Sequence, residues 1–453
     1  MLQLRPALAG LALFTAASAQ RTDLTLPFYR VPRVGQALNN DIALNNVQQF
    51  TYVVQATIGK QLFDFVCDTG SSDLWVTSNR CQEQDCKAVP QFSPELSDTL
   101  TPTDWPFELR YLTGSVKGQI VRDTVTFGGL YQVESQAFAT VYQTADLDLA
   151  STGTSGILGL CFPASAAIPA TAGPTLLQNL MSAFAPAQQF FAFHLPRQPG
   201  STDPSASFTL GSLDPSLAPD PTAIANSLVV RTGPEYDYWK LSLMRLTVDG
   251  KPFPISSSRV LTAKAPVAVL DTGTTLLLRA HPLMSMPFRC TRPVVLGLVL
   301  GDPPREYVLH PADVAWAEGA QDGWCTGGVQ PNDNVNSGDW LLGDVFLRNV
   351  YCVHKYSSPP SIGLLSVTDL STAMREFREE RGEDVDDANI DDSDIVPVVV
   401  DGGDGWDTAT GYVKRWELHP SGPAAQVFGA AAGGIGFVVG GVSAASWRFW
   451  RGV

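Results

Sequence analysis

The stretch Phe65-Val66-Cys67-Asp68-Thr69-Gly70-Ser71-Ser72 is a β-prone run that ends on a carboxylate and then breaks at glycine and small hydroxyls. It recurs as Val267-Ala268-Val269-Leu270-Asp271-Thr272-Gly273-Thr274-Thr275, with 203 positions between the two aspartates. A single Asp-Thr-Gly is ordinary turn chemistry. Two copies, each entered from a hydrophobic strand and followed by two hydroxyl residues, ask for a different explanation. A buried strand that ends on a carboxylate is costly unless the carboxylate is hydrogen-bonded. Hydroxyls and a glycine that admits close backbone approach provide those bonds without filling the site.

The surroundings of the two copies also correspond. Each is followed downstream by two aliphatics and a glycine, Ile157-Leu158-Gly159 after the first and Leu341-Leu342-Gly343 after the second. Upstream of the first, Tyr52 to Ile58 is β-rich, and Gly59-Lys60 separates it from Leu62 to Val66, the pattern of a hairpin that delivers a strand to Asp68. Short apolar runs punctuated by Gly, Pro, Asn and Asp continue to about Val367; Thr175 to Phe184 is among the few windows with a helical period. Two similar units predict two lobes, with the boundary in the proline-bearing stretch Pro215 to Asn226. Packed about a pseudo-twofold axis, such units would bring Asp68 and Asp271 face to face. Like charges in contact do not both ionise easily, so one proton is shared, and the pair holds one acid and one base around a water.

Over roughly Thr51 to Val367 the chain resembles the pepsin-like aspartic proteases, the family in which this carboxylate physics is best known. Besides the two Asp-Thr-Gly motifs, the resemblance rests on Asp73-Leu74-Trp75-Val76, Tyr111-Leu112-Thr113-Gly114-Ser115, Gly156-Ile157-Leu158-Gly159-Leu160 and Trp340-Leu341-Leu342-Gly343-Asp344. It implies an all-β, bilobal fold with a cleft between pseudo-symmetric lobes, and an endopeptidase acting on peptide or protein substrates at acidic pH. Asp68 and Asp271 would be the catalytic pair, supported by Thr69, Gly70 and Ser71 and by Thr272, Gly273 and Thr274. Tyr111, Thr113 and Gly114 would belong to a flap over the substrate, with Trp75 bonded to the Tyr111 hydroxyl. Val66 and Ile157 would line the subsite before the scissile bond; each reads equally well as ordinary core. The resemblance also implies disulfides Cys81–Cys86 and Cys290–Cys325. Cys67, Cys161 and Cys352 are left over and read as buried small apolar residues, with a Cys67–Cys161 contact open. Three positions depart from the family pattern: Leu112 stands where the flap usually has glycine, Asp73 replaces the usual asparagine, and Cys67 directly precedes Asp68.

Composition narrows the rest. The chain has 453 residues, 44% hydrophobic and 17% charged, enough apolar material for large cores. Gly 39 and Pro 33, about one residue in six, favour turns and strands over helical bundles. The net charge of −15 is the wrong sign for a nucleic-acid binder. Between Glu376 and Asp407 there are 13 acidic and two basic residues; this −11 leaves −4 for everything else. The five histidines are scattered without a His-Glu-x-x-His, and there is neither a Gly-x-Ser-x-Gly elbow nor a phosphate loop, so no metal or cofactor is expected.

The ends carry their own signals. Arg5, the apolar run Ala7 to Ala17 and Ala17-Ser18-Ala19 read as a secretory signal over residues 1–19, and export makes disulfides admissible. Residues 20–48 are either a short pro-segment, without a lysine to reach the carboxylates, or a plain N-terminal arm. The lobes are expected over 49–220 and 221–370, then an acidic disordered linker over 371–422 that opens with a short helix, Ser371 to Glu380. Residues 423–447 carry no formal charge and end near Trp447, Arg448 and Trp450. A single-pass membrane anchor, a cleaved lipid-anchor signal and a soluble tail are all open there. The expected protein is a monomer of the secretory pathway, extracellular or at the cell surface. The competing function is a catalytically silent peptide-binding or inhibitor module with the same cleft.

Overall fold

The computed structural model describes residues 24–26, 29–32, 50–129, 131–195, 197, 207–279, 288–321, 323–332, 334–335 and 337–382. The expected signal sequence over residues 1–19, residues 33–49, the acidic run beyond Gly382 and the 423–447 segment lie outside these residues. Strands dominate, in three large sheets and one small one.

The strand Gln61–Asp68 shows why the sequence reads as it does. Phe63, Phe65 and Cys67 are buried while Leu62 is exposed, the period-two alternation of a sheet with one face on the core. Its hairpin partner is Phe50–Ile58, with Ile58 opposite Gln61 across the Gly59-Lys60 turn. The first sheet runs Tyr29–Pro32, Phe50–Ile58, Gln61–Asp68, Gly156–Gly159, Leu74–Thr77, Tyr131–Ala145, Gly114–Phe127 and Thr101–Tyr111. Its counterpart in the second half runs Arg305–Val308, Leu296–Leu300, Lys240–Val248, Val267–Leu270, Trp340–Leu342, Leu277–Arg279 and Val329–Pro331.

The two sheets repeat one topology. The strand leading to Asp68 lies parallel to Gly156–Gly159, which is antiparallel to Leu74–Thr77. The strand leading to Asp271 lies parallel to Trp340–Leu342, which is antiparallel to Leu277–Arg279. A third sheet of six strands joins the halves: Leu24–Leu26, Ser207–Leu210 and Phe190–His194 from the first, Val350–Lys355, Ser361–Ser366 and Ala225–Leu228 from the second. The stretch Pro215 to Asn226 therefore connects two strands of a shared sheet.

The helix expected near Thr175 runs Leu176–Ser182, capped by Thr175 and Gln178 reciprocally. A longer helix, Leu370–Arg381, begins at Asp369, whose carboxylate accepts from the Thr372 N–H, and buries Ala373 and Phe377. Drawing the disordered linker from residue 371 is thus a misplacement: Phe377 supplies apolar contact that the acidic composition around it hides. Strands Leu24–Leu26 and Tyr29–Pro32 pair with Ser207–Leu210 and Phe50–Ile58, so part of the 20–48 segment is integrated into the sheets. Among the described residues no helix is long and apolar enough to cross a membrane.

Candidate active site

Asp68 is the last residue of its strand and Asp271 follows directly on Leu270, so both carboxylates emerge where two parallel-paired strands end. The two loops are bolted together by a reciprocal pair of threonines. The Thr69 N–H donates to Thr272 Oγ1 and the Thr272 N–H to Thr69 Oγ1, both at 3.0 Å. Each hydroxyl then donates onward, Thr69 to the Leu270 carbonyl at 2.9 Å and Thr272 to the Cys67 carbonyl at 2.6 Å. Both N–H groups and both hydroxyls of this buried bridge are used, as their burial requires.

Each carboxylate is held in the same way. Asp68 Oδ1 accepts from the Gly70 N–H at 2.7 Å and Oδ2 from the Ser71 hydroxyl at 2.5 Å. Asp271 Oδ1 accepts from the Gly273 N–H at 2.8 Å and Oδ2 from the Thr274 hydroxyl at 2.7 Å. The glycines are required by proximity: a Cβ on Gly70 would collide with the Asp271 carboxylate, and one on Gly273 with that of Asp68. The two aspartates are 5% and 8% exposed and border the same cleft. Burial pushes the Asp68 carboxyl well above the ordinary carboxylate range and the Asp271 charge pushes it further, while the Ser71 and Gly70 donors pull it back.

Over the pair arches a hairpin of Thr101–Tyr111 and Gly114–Phe127, with Leu112 and Thr113 at its tip. Trp75 Nε1 donates to the Tyr111 hydroxyl at 2.6 Å, and burial holds that phenol protonated. Gly114 lets the hairpin lie against the end of the next strand, since a Cβ there would meet the Ala145 and Asp146 carbonyls. A cleft of about 780 Å³ opens beneath, bounded by both aspartates, the hairpin residues Leu109 to Thr113 and a second-half wall that includes Leu278, Val335 and Leu341.

This is two homologous-looking halves sharing one pair of carboxylates, and comparison with known proteins agrees. A profile of the eukaryotic aspartyl proteases matches residues 51–286. The chain belongs to that family. Gastricsin of Callithrix jacchus is 28% identical over 330 residues, 67% of this chain and 78% of the relative. A probable aspartic-type endopeptidase CTSD of Arthroderma otae is 30% identical over 307 residues, 64% and 74%. The corresponding CTSD of Trichophyton verrucosum is 28% identical over 338 residues, and there the chain spans only 61% of the relative's length. The protein is an aspartic-type endopeptidase, with the mostly β, bilobal fold of the pepsin-like proteases.

Val66 and Ile157, expected from the resemblance to line the subsite before the scissile bond, are half-buried partners on adjacent parallel strands. Ile157 packs in a cluster with Trp75, Leu109 and Tyr111, so the hairpin covers that side. The counterparts of Val66 and Ile157 in the second half, Val269 and Leu341, are buried, pack with Val335, Tyr238 and Leu278, and border the cleft. Aligning the two Asp-Thr-Gly repeats residue by residue names Val269 directly. Ser165, Tyr238, Gln330 and Asn332 also form the wall and had no signal in any motif.

Cys81–Cys86 and Cys290–Cys325 are disulfide-bonded. Cys67, Cys161 and Cys352 are buried free thiols, with no Cys67–Cys161 bond. The Cys161 thiol instead donates to the Asp237 carbonyl at 2.9 Å.

Proposed function

We propose that Asp68 and Asp271 perform the hydrolysis, sharing one proton and holding a water between them. The ionised carboxylate takes a proton from the water as it attacks the peptide carbonyl, and the protonated one donates to the carbonyl oxygen; as the resulting diol collapses and the C–N bond breaks, the first gives its proton to the leaving nitrogen and the second regains one from the diol hydroxyl. The observation that carries this reading is the pair of buried, symmetrically supported carboxyl groups that the threonine bridge holds side by side at one cleft. Thr69 and Thr272 fix their spacing; Gly70, Ser71, Gly273 and Thr274 fix the orientation of each. Tyr111 and Thr113 close over an extended peptide, and Val269, Leu278, Val335 and Leu341 favour apolar side chains on the second-half side.

The shared proton favours working at acid pH, and the raised affinity of Asp68 for its proton carries activity toward the upper part of that range. Both carboxylates and the Trp75–Tyr111 bond support catalysis over a silent peptide-binding module. Residues 1–19 support export, and residues 423–447 membrane anchoring; a carbonate wash that releases the protein without detergent would overturn the anchor. The central test is acid proteolysis of a denatured protein by wild type beside Asp271→Asn. We expect the variant to fold and to lose at least about a thousandfold in kcat, within the range of acid–base catalysis; a variant that retains wild-type turnover overturns the assignment.

A further inference from the structure

Asp73 is a third buried carboxylate at this site, and the catalytic scheme leaves it idle. It is 2% exposed and makes no ion pair among the described residues. Its two oxygens both accept backbone N–H groups: Oδ2 from Ala167 at 2.7 Å and Oδ1 from Ile168 at 2.9 Å. Only an ionised carboxylate accepts at both oxygens without placing a donor against one of those N–H groups. The loop that carries Asp73 does not need the charge, because Leu276, five residues after Asp271 as Asp73 is after Asp68, occupies the matching place in the second half and is also buried. What the charge holds is the turn around Pro163–Ser165.

That turn belongs to the cleft. The Ser165 side chain lines the cleft and donates to the Asp237 carbonyl of the second half at 2.7 Å. The carbonyl of Phe162, at its start, accepts from the Ser72 hydroxyl, and its ring stacks on Tyr356 and lies tilted against Trp239. We infer that Asp73 is a positioning residue whose ionised carboxylate clamps the Phe162 to Ile168 turn, so that the cleft wall at Ser165 is ordered above a limiting acidity and slackens below it.

The titratable groups facing Asp73 are few. Tyr111 on the hairpin feels its charge, and Asp68 stands at the head of the same loop. The strand Leu74–Thr77, the strand Gly156–Gly159 and the turn from Phe162 to Ile168 contribute no ionisable side chain; between them lies the Cys161 thiol, which burial keeps protonated. Burial raises Asp73 above the ordinary aspartate range, with the two N–H donors opposing it. The clamp therefore loosens within acid conditions where this enzyme is expected to operate.

The inference rests on the cleft being where peptide is cut, and its test separates the two. In Asp73→Asn the amide accepts only one of the two N–H groups, as a protonated Asp73 would. kcat/KM of the full chain on one peptide is measured from pH 2.5 to 6.5. We expect wild type to exceed the variant by about five- to tenfold near pH 6, mostly through KM, and the ratio to approach one as the pH falls. A ratio that is constant across pH, or equal to one throughout, overturns the inference. Amide exchange in the wild type gives a reading that does not depend on the variant folding. After correction for intrinsic rates, protection of Ala167 and Ile168 is expected to drop about tenfold between pH 6 and pH 3 relative to Leu160; unchanged relative protection overturns the clamp. A wild type that cuts nothing at any pH while the exchange drop is present defeats the proposed function alone.

Discussion

At the scale of single residues, the site is a contest between burial and hydrogen bonding. Ser71 donates to Asp68 Oδ2 and so favours the ionised form; burial and Asp271 oppose it. Removing the donor in Ser71→Ala lets Asp68 hold its proton to higher pH. The alkaline limb of the kcat/KM profile, where the shared proton is lost, should move up by about one pH unit, the equivalent of roughly 1.4 kcal/mol of lost anion stabilisation. A limb that stays in place, or moves down, would contradict this account of the pair. The residue scale is also where the sequence was most legible. Asp68, Thr69, Ser71 and their partners in the second half have roles that follow from residue type and repetition. Asp73 is visible in the sequence only as a departure from a pattern, because its two N–H partners lie 94 and 95 residues away.

Among elements, the strands were readable from alternation and the hairpins from their turns, since both signals are local. Which strand faces which cavity was not. Val66 and Val269 sit at equivalent places, yet Val269 is fully buried where it borders the cleft and Val66 is only half-buried, and no periodicity in either strand records the difference. The helix Leu370–Arg381 was legible as a helix but not as part of the body, because its polar faces outweigh one buried ring. Phe377 is fully buried in the main core, and His310 on the body contacts Glu376 of the helix at 3.3 Å. Replacing Phe377 by alanine should cost about 3–5 kcal/mol, read as a clear fall in the thermal midpoint. A chain that ends at Val367 should be similarly weakened, whereas one that ends at Gly382 should not. Equal midpoints for all of these would show that the helix is an ornament to the fold.

The whole molecule faces a problem of acid tolerance. His354 lies in the shared six-stranded sheet, stacked on Phe191 at 4.6 Å between ring centroids, near Phe193, and edge-on to Trp239. Its burial holds the imidazole pKa down to about 3. The folded protein thus keeps this ring neutral while the unfolded chain protonates it below about pH 6.5. Stability is complete above that value and falls as the pH drops toward 3, by at most about 5 kcal/mol from this one group. His354→Phe should therefore lower the pH at which the protein unfolds in acid, with little change near neutrality. Unfolding at an unchanged or higher pH would show that the ring is not the weak point.

The threonine bridge has a consequence for the making of the protein. Thr69 is oriented by Thr272 and Thr272 by Thr69, across 203 positions of chain. A ribosome that has finished only the first lobe has made a polypeptide whose lone aspartate has no twin and whose loop has nothing to grip. On the proposed mechanism, the acid–base pair is therefore assembled only once the second lobe is made.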